Sequence, residues 1–118
     1  MKSFTKVLVC GGRNYKDYDK VEQVLTDLQK RVGALFIISG GATGADSLAK
    51  TFTKNYGLPC AVVEANWKLY NKGAGPIRNL WMLELNPDYV VAFPGGKGTA
   101  DMIELAENNK VNLIKVEE

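Results

Sequence analysis

Leu35-Phe36-Ile37-Ile38-Ser39-Gly40-Gly41-Ala42-Thr43-Gly44-Ala45-Asp46 joins an apolar run of strand length to a glycine cluster and then to the start of a helical pattern. The apolar residues run on continuously instead of alternating with polar ones, as in parallel strands covered on both faces. Leu48, Ala49 and Phe52 begin an amphipathic stripe behind Asp46. Strand, glycine loop and helix in that order make the first part of a βαβ unit.

The same order recurs on either side. Val7-Leu8-Val9-Cys10 leads through Gly11-Gly12 to a stripe of Val21, Val24, Leu25 and Leu28. Tyr89-Val90-Val91-Ala92-Phe93 leads through Pro94-Gly95-Gly96-Lys97-Gly98-Thr99 to Met102, Ile103, Leu105 and Ala106. Cys60-Ala61-Val62-Val63 and Val111-Asn112-Leu113-Ile114 supply two more strands, and Ile77, Leu80, Trp81 and Leu85 suggest another helix. Gly33 and Gly57 stand where helices end before strands. The alternation predicts one α/β domain over residues 1–118 with a parallel five-stranded sheet. In such a sheet every β-to-α loop emerges at the carboxyl edge, so the three glycine loops are expected to share one rim.

Glycine lets backbone N–H groups approach a ligand, and a following helix adds unpaired N–H groups with partial positive charge. A phosphate is the natural guest. None of the three loops is a standard nucleotide fingerprint: Gly40-Gly41-Ala42-Thr43-Gly44 departs from G-x-G-x-x-G and Pro94-Gly95-Gly96-Lys97-Gly98-Thr99 from G-x-x-x-x-G-K-[ST]. The candidate ligand-binding residues are Gly11, Gly12, Arg13 and Asn14 in the first loop and Gly40, Gly41, Thr43 and Gly44 in the second. Pro94, Gly95, Gly96, Lys97, Gly98 and Thr99 form the third. Lys97 suits a phosphate and equally a solvated site. Thr99 is expected to cap its helix or to bond a ligand oxygen. Asp46, in the first turn of the second helix, suits a ribose hydroxyl or the helix dipole. Trp67 and Tyr70 read as part of a polar loop, where Trp67 stacks on a base, or else closes the domain or fills a dimer contact. Arg78 and Asn79 follow Gly75-Pro76 in what reads as the first turn of a helix. A cation is poorly placed there without a phosphate or carboxylate partner.

Bulk properties narrow the class. Lys+Arg 15 against Asp+Glu 13 leaves a net charge of +2, which argues against a dedicated nucleic-acid binder. The chain has no histidine, which removes histidine bases and histidine metal sites. Cys10 and Cys60 lie apart in apolar runs and read as buried free thiols suited to a reducing cytosol. No apolar stretch approaches the roughly 20 residues of a membrane span, and the N-terminus lacks a cleavage-type signal. A cytoplasmic protein is expected. No metal site is visible, and Mg²⁺ could arrive with a phosphate.

Four motifs, Val-Cys-Gly-Gly-Arg-Asn-Tyr (9–15), Ser-Gly-Gly-Ala-Thr-Gly-Ala-Asp (39–46), Ala-Gly-Pro-Ile-Arg-Asn (74–79) and Ala-Phe-Pro-Gly-Gly-Lys-Gly-Thr-Ala-Asp-Met (92–102), together resemble the YspA-type branch of the SLOG superfamily. The resemblance implies a three-layer Rossmann-like domain with strand order 3-2-1-4-5, and a homodimer. The superfamily takes in nucleotide-derivative sensors, the DNA-processing protein DprA and the Lonely Guy phosphoribohydrolases, which release the base from nucleoside 5′-monophosphates. It also implies that Gly95, Gly96, Gly98 and Thr99 hold phosphate and that Arg78 and Asp101 would be the catalytic pair of a hydrolase. One departure bears on catalysis. Where the hydrolases carry glutamate, often as a pair, this chain has Asp101 and Met102, with Glu104 further along. A carboxylate is wanted beside the cationic sugar formed in N-glycosidic cleavage. Binding or sensing a nucleotide or nucleotide-derived ligand is therefore the first expectation. N-glycosidic cleavage and single-stranded nucleic-acid binding are the alternatives.

Overall fold

The computed structural model describes residues 3–117, with Met1 and Lys2 of the segment read for a signal lying outside them. Five parallel strands form one sheet in the order β3-β2-β1-β4-β5. They are β1 (Thr5–Cys10), β2 (Leu35–Ser39), β3 (Cys60–Val62), β4 (Tyr89–Ala92) and β5 (Asn112–Lys115). The helices are α1 (Tyr18–Val32), α2 (Ala45–Tyr56), α3 (Trp67–Tyr70), α4 (Ala74–Leu83) and α5 (Lys97–Asn108), with a 3₁₀ turn at Asn71–Gly73 before α4. This is the expected Rossmann-like architecture.

The period of the strands explains the three layers. Val7 and Val9 face one side of β1, where α1 and α2 bury Val21, Leu25, Leu28, Ala49 and Phe52 against them. Leu8 and Cys10 face the other side, against Met82 of α4 and Met102 and Ala106 of α5. With both faces covered, no polar alternation is required, hence the continuous apolar runs. α1 begins at Asp17, whose side chain accepts from the Lys20 N–H at 3.0 Å. α2 ends at Gly57 in the left-handed conformation (φ 62°). No helix among the described residues is long and apolar enough to cross a membrane.

Two local expectations change. The stretch read as a loop around Trp67 and Tyr70 is helical, started by Asn66, whose side chain accepts from the Leu69 N–H at 3.1 Å. The helix after it starts at Ala74, two residues before Pro76, so Arg78 lies beyond its first turn. Proline is at home in that first turn because its missing N–H would have had no intrahelical partner. The expected apolar stripe of this helix faces outward: Leu80 and Trp81 are 48% and 38% exposed, while Ala74, Asn79 and Met82 are buried. Its rotation follows from two attachments. Met82 enters the core beside Met102, and the Asn79 side-chain amide donates to Gly98 O at 3.2 Å and to Asp101 Oδ2 at 2.9 Å.

Candidate functional site

The strand order sets the loops after β2, β1 and β4 side by side, because β1 lies between β2 and β4. Between β1 and β4 the connections diverge to opposite sides of the sheet, the position where open α/β sheets form a crevice. A cleft of about 580 Å³ opens there. The first loop contributes Gly11, Gly12 and Arg13 to its wall and the start of α5 contributes Gly96, Lys97, Gly98, Thr99 and Asp101. α4 adds Arg78 and Asn79, and Asp46 and Trp67 complete the predicted residues that line it.

The glycines divide into two kinds. A methyl group on Gly95 would run into the Thr99 hydroxyl and come within 2.6 Å of Gly12 N, and one on Gly44 would run into the Gly12 carbonyl. These positions let one loop pack on the next. Gly12 donates to Pro94 O at 2.8 Å and its carbonyl accepts from Ala45 N at 3.1 Å. Thr43 Oγ1 donates to Arg13 O at 3.1 Å. Gly96 and Gly98 are different, with nothing within 4 Å of the place a side chain would take. Their backbone is bare toward the cleft.

α5 begins at this bare backbone, and no side chain caps it. Its N-cap is Gly96, which overturns the expectation that Thr99 caps the helix: Thr99 sits inside the first turn, 7% exposed against Gly95. The N–H groups of a first helical turn have no intrahelical acceptor, so they and Lys97 offer positive potential to whatever enters.

Asp46 and Arg78 both reach the space over Gly40. A methyl group on Gly40 would lie 3.0 Å from both Asp46 Oδ2 and Arg78 Nη1. Asp46 is 7% exposed and accepts from Ala42 N at 3.1 Å. Burial raises its pKa above 3.8, against the opposing pull of the Ala42 N–H, Arg78, the Gly40 N–H and Arg13. Arg78 Nη1 donates to Gly40 O at 3.1 Å, and its Nε is buried with no hydrogen-bond partner. The cation that looked misplaced in the sequence thus has a carboxylate neighbour inside the protein. Cys10 also lines the cleft, but burial, with Asp46 adding to it, pushes its thiol up to about 12. A thiol so protonated is a poor nucleophile.

Asp101 is held by Asn79, while Met102 lies in the core at 0% exposure and Glu104 is on the outer surface. Position 102 therefore faces the sheet and presents nothing to the cleft. At the mouth, the Arg13 guanidinium lies 5.4 Å from the centre of the Trp67 ring. Trp67 is 47% exposed.

Some predicted residues lie elsewhere. Asn14 lines a separate depression with Tyr15, Lys16 and Asp17. Gly40, Gly41 and Thr43 line a depression adjoining the cleft, and Gly44, Pro94 and Gly95 line neither. Cys10, Ala42, Gly75, Pro76 and Met82 line the cleft without having been singled out. Cys10 and Met82 have the signal of core residues because the cleft floor is the edge of the core.

A sequence profile of the YspA, cpYpsA-related SLOG family matches residues 5–70. The chain is 29% identical over 114 residues to the Gene 61 protein of Mycobacterium phage D29, covering 92% of this chain and 91% of that one. Among solved structures, DNA processing protein A (DprA) from Streptococcus pneumoniae superposes with a TM-score of 0.79 at 20% identity. The alignment covers 98% of this chain and 51% of DprA, so the chain spans about half the length of that protein and the likeness is one of fold.

Proposed function

The chain belongs to the YspA, cpYpsA-related SLOG family, and from that premise we propose that its cleft binds a nucleotide or nucleotide-derived ligand with the phosphate at the start of α5. The observation that carries this reading is the uncapped N-terminus of α5, where Lys97 stands between the bare backbones of Gly96 and Gly98 in the cleft wall. A phosphate there accepts from helix N–H groups and neutralises Lys97. Arg78 adds a second cation, and its unsatisfied Nε–H, a cost of about 1–3 kcal/mol, gains an acceptor by a small rotation toward a ligand oxygen. Trp67, already faced by Arg13, supplies an aromatic surface for a base. Mg²⁺ would enter on the phosphates. Mass spectrometry of small molecules carried through native purification tests the reading directly. A phosphorylated nucleoside compound is expected. Its absence, together with no thermal stabilisation by any nucleotide, overturns the proposal.

N-glycosidic cleavage is the second reading, favoured by Arg78 and Asp101 lining one cleft and weakened by the burial of Met102. It requires free base released from nucleoside monophosphates, and loss of that release in Arg78→Ala and Asp101→Asn. Salt-dependent binding of oligonucleotides in place of mononucleotides would instead favour a nucleic-acid role. The homodimer belongs to the proposal as well, with the outward side chains Leu69, Leu80, Trp81 and Leu85 as its face. Sedimentation should give a dimer that Leu80→Glu converts to monomer; a monomeric parent protein removes it.

A further inference from the structure

Beside the cleft lies a second depression of about 370 Å³, lined by Gly40, Gly41 and Glu64 among others. Arg13, Ala42, Trp67 and Arg78 line both concavities and form the waist between two lobes. The second lobe differs from the first in its chemistry. Arg13 and Arg78 serve both; the first adds Lys97, the N-terminus of α5, Asp46 and Asp101, and the second adds a single carboxylate, Glu64. Glu64 lies with its stem over Gly41, since a methyl group there would come within 3.0 Å of Glu64 Cγ. An ionised carboxylate only accepts hydrogen bonds, so Glu64 offers this lobe a place for a pair of donors beside the two guanidinium groups.

The topology says which donors. β2 and β3 pair directly in parallel, Ile37 beside Cys60 and Ser39 beside Val62, and α2 connects them. Glu64 stands just past the end of β3 and twenty residues after Gly44. In dinucleotide-binding βαβ units, an acidic residue about 20 residues beyond the glycine loop accepts from the ribose hydroxyls. Ser39-Gly40-Gly41-Ala42-Thr43-Gly44 has the spacing G-x-G-x-x-G with serine in the first position, a departure of one residue. The phosphate end of this unit is partly taken up by the protein itself. The N–H groups of Gly40 and Ala42 in the loop are turned to Asp46, and Ala45 N, the first of α2, donates to Gly12 O. What the unit retains is its ribose-reading acid.

We propose that the second lobe is a ribose subsite, in which Glu64 accepts from the 2′,3′-diol of a ribonucleotide whose phosphate lies in the first lobe across Arg13, Trp67 and Arg78. This rests on the phosphate reading above. The assignment makes the ligand a ribonucleotide rather than a deoxyribonucleotide and sets its phosphate and its diol on opposite sides of the waist.

Calorimetric titration with matched pairs of ribonucleoside and 2′-deoxyribonucleoside diphosphates of the four common bases tests it. The parent protein should prefer the ribo form of its best-bound pair by about tenfold or more, the worth of a hydrogen bond to a charged group. Glu64→Gln and Glu64→Ala should erase most of that preference, weakening the ribo form several-fold more than the deoxy form, which offers Glu64 its 3′-hydroxyl alone. Lys97→Ala should weaken both forms alike. Equal binding of ribo and deoxy forms, still dependent on Lys97, overturns the ribose subsite and leaves the phosphate reading standing. A Glu64→Gln effect equal on both forms assigns the carboxylate to a base amino group and also overturns it. Binding of neither form overturns both readings.

Discussion

Asp46 and Arg78 show how one residue's environment sets its chemistry. A carboxyl whose folded pKa is raised contributes stability that is complete below its unfolded value and is lost as pH rises through the folded value. For Asp46 the rise above 3.8 comes chiefly from burial. The parent protein should therefore lose stability relative to Asp46→Asn as pH climbs from about 4 toward neutrality. Urea unfolding of the two proteins across that range checks this, and a difference flat with pH would contradict the raised pKa. Asparagine keeps an acceptor for Ala42 N, so the comparison isolates the charge. Asp46 was visible in the sequence as a first-turn acid. That it would be buried beneath Arg78 was not, because α4 is distant in the chain and only folding brings it across.

The loop-and-helix unit from Pro94 to Asn108 carries two kinds of glycine that no motif separates. Gly95→Ala pushes a methyl group into the backbone of the first loop and should cost about 1–3 kcal/mol in denaturant unfolding. Gly98→Ala replaces an open helical glycine and should be neutral or stabilising by up to about 1 kcal/mol, while weakening the ligand by filling its approach. Loss of stability in Gly98→Ala, or none in Gly95→Ala, would reverse the assignment of packing and binding roles. α4 is the element whose sequence reading was least faithful. Leu80 and Trp81 formed the more obvious apolar stripe, yet the side chain of Asn79 settled the rotation by reaching Gly98 and Asp101. A buried amide that must be satisfied outweighs a weak stripe when the opposite face has Met82 to offer the core.

At the scale of the molecule, the site is an edge feature of a continuous core. Its floor is Cys10 and Met82 and its walls come from three loops and four helices. Ligand binding should therefore stabilise the whole fold. At about one hundred times Kd the gain is about 2.7 kcal/mol, a rise in melting temperature on the order of 10 °C for a domain of this size. Scanning fluorimetry with nucleotides measures it, and Lys97→Ala should reduce the shift at the same concentration. An undiminished shift in that variant would move the phosphate away from α5.

The sequence by itself determined the sheet, the parallel strands, the helix ends at Gly33 and Gly57, and the rim on which the glycine loops meet. Those follow from local physics: the period of burial, the conformational freedom of glycine and the short range of helix signals. Only the tertiary structure decided which glycines face a cleft and which face another loop. It also decided that Arg78 lies beside Asp46, that Met102 takes the place of a second acid by turning into the core, and that Glu64 lines a second lobe. Each of these depends on contacts between segments far apart in the chain, whose distances are set by packing across the sheet and leave no trace in local spacing.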